Sequence, residues 1–162
     1  MKKIFTYCLM VISLLFIVGC AHKATTLKDV LETTSDDNLQ FVMQGIENVE
    51  EDDNRILYND FELDGLHIKQ FRRQKDHCDS SLHPGEIVFY EQAKTYSAAE
   101  EICDKYYNKI SDYYGYYSEM NDKVYYWYPS GYANGRPYIS LTIIRDDNKD
   151  YIVQVCRYII EE

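Results

Sequence analysis

Hydrophobic and polar positions divide the chain into three stretches. Residues 4–18 are almost wholly apolar, interrupted only by the uncharged Thr6, Tyr7, Cys8 and Ser13. Residues 21–38 are polar and threonine-rich, with Leu27, Val30 and Leu31 spaced for one or two helical turns. From residue 39 onward, helical and alternating patterns succeed one another.

Leu39, Val42, Met43, Ile46 and Val49 recur at helical spacing and predict an amphipathic helix over 38–50. Asp36, Asp37 and Asn38 form its start signal, and the acidic run 50–53 ends it. Weak alternation over 55–62 and 66–70 flanks Asp64-Gly65, which predicts a β-hairpin with a tight turn. Residues 72–85 are polar and read as a loop; 86–92 read as a strand. Ser97 and Glu100 have capping-box spacing and open a helix that runs to Tyr114, where Gly115 supplies the stop. Its apolar face is Ala99, Ile102, Cys103, Tyr106, Ile110 and Tyr113. Strands follow over 123–128, 138–145 and 151–160, the last two a hairpin about the polar turn 146–150. Few helices and many hairpins predict an α+β fold: a mainly antiparallel sheet built from hairpins, with two helices packed on one face. The expected organisation is a leader over 1–19, a polar tether over 20–38 and a single domain over 39–162.

Composition narrows the classes. The chain has 162 residues, and a hydrophobic fraction of 46% excludes wholesale disorder. Its 17 Lys+Arg against 27 Asp+Glu give a net charge of −10, which argues against nucleic acid as a partner. With Gly at 7 and Pro at 3, collagen-like and Pro-rich classes are excluded.

The N-terminus has the pattern of an export signal: Met1-Lys2-Lys3, then the apolar run, then Gly19-Cys20-Ala21. Ile17-Val18-Gly19-Cys20 resembles the lipobox of bacterial lipoproteins. The resemblance implies cleavage after Gly19 and diacylglyceryl transfer to Cys20, so that the chain's first partner is a membrane reached through its lipid anchor. Each buried CH₂ contributes about 0.8 kcal/mol, so two or three chains on one cysteine hold firmly. Ala21 stands where an inner-membrane retention Asp would be, which points to an outer membrane, facing the periplasm, in a Gram-negative source. Loss of Lys2 and Lys3 with the leader leaves 15 basic and 27 acidic residues, a net charge of −12.

After export Cys78, Cys103 and Cys156 lie in a compartment that permits disulfides. Two arrangements stand side by side: a Cys78–Cys103 bond, or three reduced thiols. Alternation places Cys156 opposite Val153 and Val155, the pair expected beneath the helices. His77, Cys78 and His83 are metal-ligand types but lack the second pair of a zinc shell. Asp146, Asn148 and Asp150 open like a calcium loop, but Tyr151 and Arg157 replace its Gly and Glu. No metal or other cofactor is expected. Nucleophile-elbow, zinc-protease and phosphate-loop motifs are absent, so no catalytic role is expected either.

Tyrosine is the compositional outlier, at 17 residues against 6 Phe and 1 Trp. Twelve Tyr and Trp residues fall between Tyr106 and Tyr138. Part of this set must be core. Tyr114, Tyr116, Tyr117, Tyr125, Trp127 and Tyr132 are the candidates for an exposed platform, because Tyr is amphipathic and suits protein interfaces and sugar stacking. The expectation is a lipid-anchored cell-envelope protein with a non-catalytic binding role toward a protein or glycan. The alternatives are an immunity-type lipoprotein that neutralises a toxin and an envelope enzyme.

Overall fold

The computed structural model describes residues 25–79, 83–121, 124–128 and 136–160, and the statements below concern those residues. Alternation and helical spacing resolve into eight strands and three helices. The helices are α1 (Leu27–Leu31), α2 (Asp36–Val42) and α3 (Tyr96–Tyr114). The strands of the first half are β1 (Val49–Glu51), β2 (Arg55–Leu63), β3 (Leu66–Gln74) and β4 (Ile87–Ala93). Those of the second half are β5 (Glu119–Asn121), β6 (Val124–Trp127), β7 (Arg136–Arg145) and β8 (Tyr151–Ile160). All pair antiparallel in one sheet ordered β1-β2-β3-β4-β8-β7-β6-β5. Helix α3 carries the chain from β4 at the centre to β5 at the far edge.

The helices pack on one face. A single apolar cluster joins Leu27, Leu31, Leu39 and Met43 of the short helices to Ala99, Tyr106 and Ile110 of α3. The same cluster takes Ile68, Phe71, Phe89, Leu141, Val153 and Val155 from the strands. The fold is therefore the α+β arrangement that the sequence predicts, with three helices on the covered face rather than two.

The boundaries differ in instructive ways. The tether expected over 20–38 is not a tether from Leu27 onward. Thr26 caps α1 through a reciprocal bond with Asp29, and Leu27, Val30 and Leu31 are buried. Behind them, Arg157 donates to the Thr33 carbonyl. Arg73, wholly buried, ion-pairs with Asp36 and Asp76 at 2.7 Å each. The Thr33 carbonyl and the Asp36 carboxylate of this stretch thus bond to arginines of the sheet, while Glu32, Thr34, Asp37 and Asn38 stay exposed.

The helix expected over 38–50 ends at Val42. Ser35 caps its start, and Gly45, at φ 91, turns the chain so that Val49–Glu51 pairs with β2. The loop expected from Arg72 begins later, because β3 runs to Gln74. The cap of α3 is Thr95, whose hydroxyl accepts from Ala98 N at 3.2 Å, not Ser97. Gly115 ends this helix at φ 80, as its position predicts.

The weak alternation of the first hairpin has a structural cause. Ile56 and Tyr58 face the core, but so do Phe61 and Leu63; on β3, Ile68 and Phe71 do the same. Both strands turn over by one residue at the same level, where Asp60 adopts φ 50. The register is unchanged on either side, with Asn59 opposite Gln70 and Phe61 opposite Ile68.

Candidate binding site

Residues on the N-terminal half of α3 and on the outer strands frame an open groove of about 540 Å³. Tyr96, Glu100 and Asp104 line it from the helix; Met120, Tyr125 and Ile143 line it from β5, β6 and β7. Positions 96, 100 and 104 recur every four residues, so one helical stripe presents a ring and two carboxylates to the same space. Met120 stands out at 55% exposure on the last strand of the sheet.

Beyond Tyr125 the groove runs into an aromatic cluster. Tyr107 of α3 lies 5.2 Å from Tyr125, 5.8 Å from Trp127 and 6.2 Å from Tyr117, ring centre to ring centre. Tyr117 closes on Tyr125 at 5.3 Å. The tilted and edge-on geometries are those that aromatic quadrupoles favour.

The local potential is negative. Glu100, followed by burial, holds the Tyr96 hydroxyl above its ordinary pKa. Burial, followed by Asp104 and Glu100, pushes the Cys103 thiol to about 11. Carboxylates beside aromatic rings suit an ammonium or guanidinium group, through charge and through the ring faces.

Trp127 is not part of an exposed platform. It is 1% exposed, and its indole donates to the Gly115 carbonyl at 3.0 Å. The reason is the side of β6 that α3 covers: Tyr125 and Trp127 face the helix. Tyr126 faces the other way and packs on Tyr138 at 6.3 Å. Tyr116 is 87% exposed, Tyr117 is at the surface, and Tyr125 is half-buried. Tyr114 is half-buried, with its hydroxyl donating to Glu32 at 3.4 Å. Tyr132 and the lipidation candidate Cys20 lie outside the described residues.

Nor is there a Cys78–Cys103 bond, since both thiols are free. Cys78 lies in the β3–β4 loop of the first half, whereas Cys103 faces Tyr125 in the second half. Cys156 is also free, on the sheet face away from Val153 and Val155.

Tyr96, Glu100, Asp104 and Met120 were not among the sequence candidates. The four-residue period on α3 was readable, but its partner strand β5 is only three residues long and carries no alternation to detect. Among the described residues no group of three or more His, Cys, Asp or Glu side chains could hold a metal. No described helix is long and apolar enough to cross a membrane. Comparison of the chain with protein-family models, curated proteins and solved structures finds no match.

Proposed function

We propose that this chain is a lipid-anchored bacterial envelope protein that acts by binding, without catalysis, and that its partner is a protein presenting basic side chains. One observation carries the binding reading: the groove between α3 and the outer strands, where Glu100 and Asp104 stand beside Tyr96, Tyr125 and exposed Met120. Aromatic anchors contribute most of the energy in protein interfaces, and carboxylates select and steer a cationic partner. The net charge of −12 after loss of the leader adds long-range attraction for the same partner. The lipobox resemblance at Cys20 supports the anchor and the envelope location. Neutralisation of a cationic toxin is one form this binding could take, and the acidic groove favours it over an enzymatic role.

Two measurements test the reading. Wild-type chain should fractionate with membranes and incorporate labelled fatty acid, and Cys20→Ala should abolish the labelling and block the cleavage after Gly19. Photo-crosslinking from position 120 in intact cells should give a discrete adduct. The charge reversal Glu100→Lys/Asp104→Lys should abolish that adduct without lowering the melting temperature. Persistence of the adduct in the reversed variant would overturn the groove as the binding site.

A further inference from the structure

The sheet has a second face, which none of the described helices covers. At one level across it the strand register places Asn59 of β2, Gln70 of β3, Tyr90 of β4, Gln154 of β8 and Thr142 of β7 side by side. Every one is an uncharged hydrogen-bonding residue. In a chain that is 27% charged, a row of five across five strands without a charge is a distinct chemical surface.

The first part of this row lies in an open trough of about 860 Å³, within the ~300–1,000 Å³ range of small-ligand sites. Asn48, Asn59, Gln70 and Gln92 bring four carboxamides to it, and Tyr90 and Ile152 supply its apolar floor. The charged groups at its rim are largely occupied. Lys69 is paired with Asp60 at 2.7 Å. Glu91 accepts the Lys69 N–H at 2.6 Å and the His67 ring lies 3.0 Å from the same oxygen.

The amides are also held in place. Gln70 donates to Asn59 at 3.0 Å, and Asn59 donates to Glu50 at 3.4 Å. Gln92 donates to Asp150 at 2.9 Å. The Arg72 guanidinium lies over the Tyr90 ring at 5.7 Å. A carboxamide carries two donors and an acceptor on one rigid plane. A sugar hydroxyl both donates and accepts, so paired hydroxyls match such planes, while the C–H face of a pyranose matches the flat side of a tyrosine.

We infer that this trough is a binding site for a neutral oligosaccharide, with Gln70 and Asn59 reading hydroxyls and Tyr90 stacking on a pyranose ring. The site shares no residue with the acidic groove, so a protein partner and a glycan could be held at once. The mismatch with other ligands follows from the same chemistry. An anion would meet Asp60 and Glu50 at the rim, and an apolar ligand would leave the amides unpaired.

The test uses the full chain in a sugar-free detergent on an array of neutral, sialylated and sulfated oligosaccharides. Signal is expected on neutral pyranose glycans and not on the acidic ones. Gln70→Leu should weaken the strongest neutral hit by about tenfold, as loss of paired hydrogen bonds implies. Gln92→Ala, at an exposed position, should weaken it with an unchanged melting temperature, and it serves as the reporter should Gln70→Leu unfold. Tyr116→Ala, in the other half of the molecule, should leave it unaltered. Absence of neutral-glycan signal, a preference for acidic glycans, or wild-type binding by a folded Gln92→Ala variant would each overturn the inference.

Discussion

The two faces of the sheet are built from the same strands but settle their aromatic residues in opposite ways. On the helix-covered face Trp127, Phe71 and Phe89, with Tyr106 of α3 packed over the sheet, are buried to 1% exposure or less. On the open face Tyr126, Tyr138 and Tyr158 remain half-buried; Tyr138 and Tyr158 stack at 5.0 Å, while His83 meets Tyr158 edge-on at 6.0 Å. The open face still buries Val88, Cys156 and Ser140, which the register sets side by side with Arg72 across β3, β4, β8 and β7. A strand with apolar rings on both sides therefore has a core side and a wet side. The helix crossing above it decides which is which.

The sharpest way to break this comparison is on β6 itself. Trp127→Ala should cost about 3–5 kcal/mol, because it empties a site closed by Tyr107 and by the Gly115 carbonyl. Tyr126→Ala, one residue along and facing away, should cost about 1 kcal/mol. Urea unfolding of the two variants gives the ratio directly, and equal losses would mean that the open face is covered as well.

The arginines make a second pair. Arg73 is wholly buried on the covered side between Asp36 and Asp76, whereas Arg72 reaches Glu86 at 3.4 Å on the open side and keeps partial exposure. Asp36→Ala/Asp76→Ala strands the Arg73 guanidinium and should cost about 3 kcal/mol or more. Glu86→Gln should cost about 1 kcal/mol, since water reaches Arg72. Thermal melts at matched pH separate these two outcomes.

Acid should loosen the helix layer before it disturbs the open face. Asp64, at the β2–β3 turn, accepts from Lys109 and Tyr113 of α3 and from the Leu27 amide at the start of α1. Burial alone would raise its carboxyl, but the bonds from Tyr113, Lys109 and Leu27 outweigh that and hold it below the ordinary carboxylate value. A carboxyl depressed in the fold stabilises it fully above its unfolded pKa of about 3.9, and the gain is lost as pH falls through the lower folded value. Stability measured between about pH 5 and pH 2 should therefore fall less steeply in Asp64→Asn than in wild type. Identical slopes would remove Asp64 from the acid response.

The thiols sharpen the comparison without changing stability. Burial pushes both Cys103, on the covered side, and Cys156, on the open side, to about 11. Neither is thiolate at pH 8, so iodoacetamide should modify Cys78 first and reach the other two only on unfolding. Mass spectrometry of the folded chain, cleaved before an acylated Cys20 so that Cys8 is lost and Cys20 is blocked, should show one adduct per molecule. Rapid modification of Cys156 would show that its cover of side chains opens readily.

Much of this architecture was legible along the chain. The hairpins about Asp64-Gly65 and residues 146–150 follow from turn chemistry between alternating segments. Helix α3 follows from its periodic face and from Gly115, and the opposition of Cys156 to Val153 and Val155 follows from a period of two. These are local properties, set by the backbone's small menu of conformations and by which neighbours share a face.

Tertiary structure decided the rest. Residues 27–36 read as a solvated stretch, because their polar groups find Arg73 and Arg157 only across more than thirty positions of sequence. Alternation separated Tyr125 and Trp127 from Tyr126 but could not say which side α3 would cover. The acidic groove joins a helix stripe to a short edge strand, and the amide trough joins β2, β3, β4 and β8 through register alone. Sites assembled from separate elements leave no period in the chain, since their spacing exists only once the strands have paired.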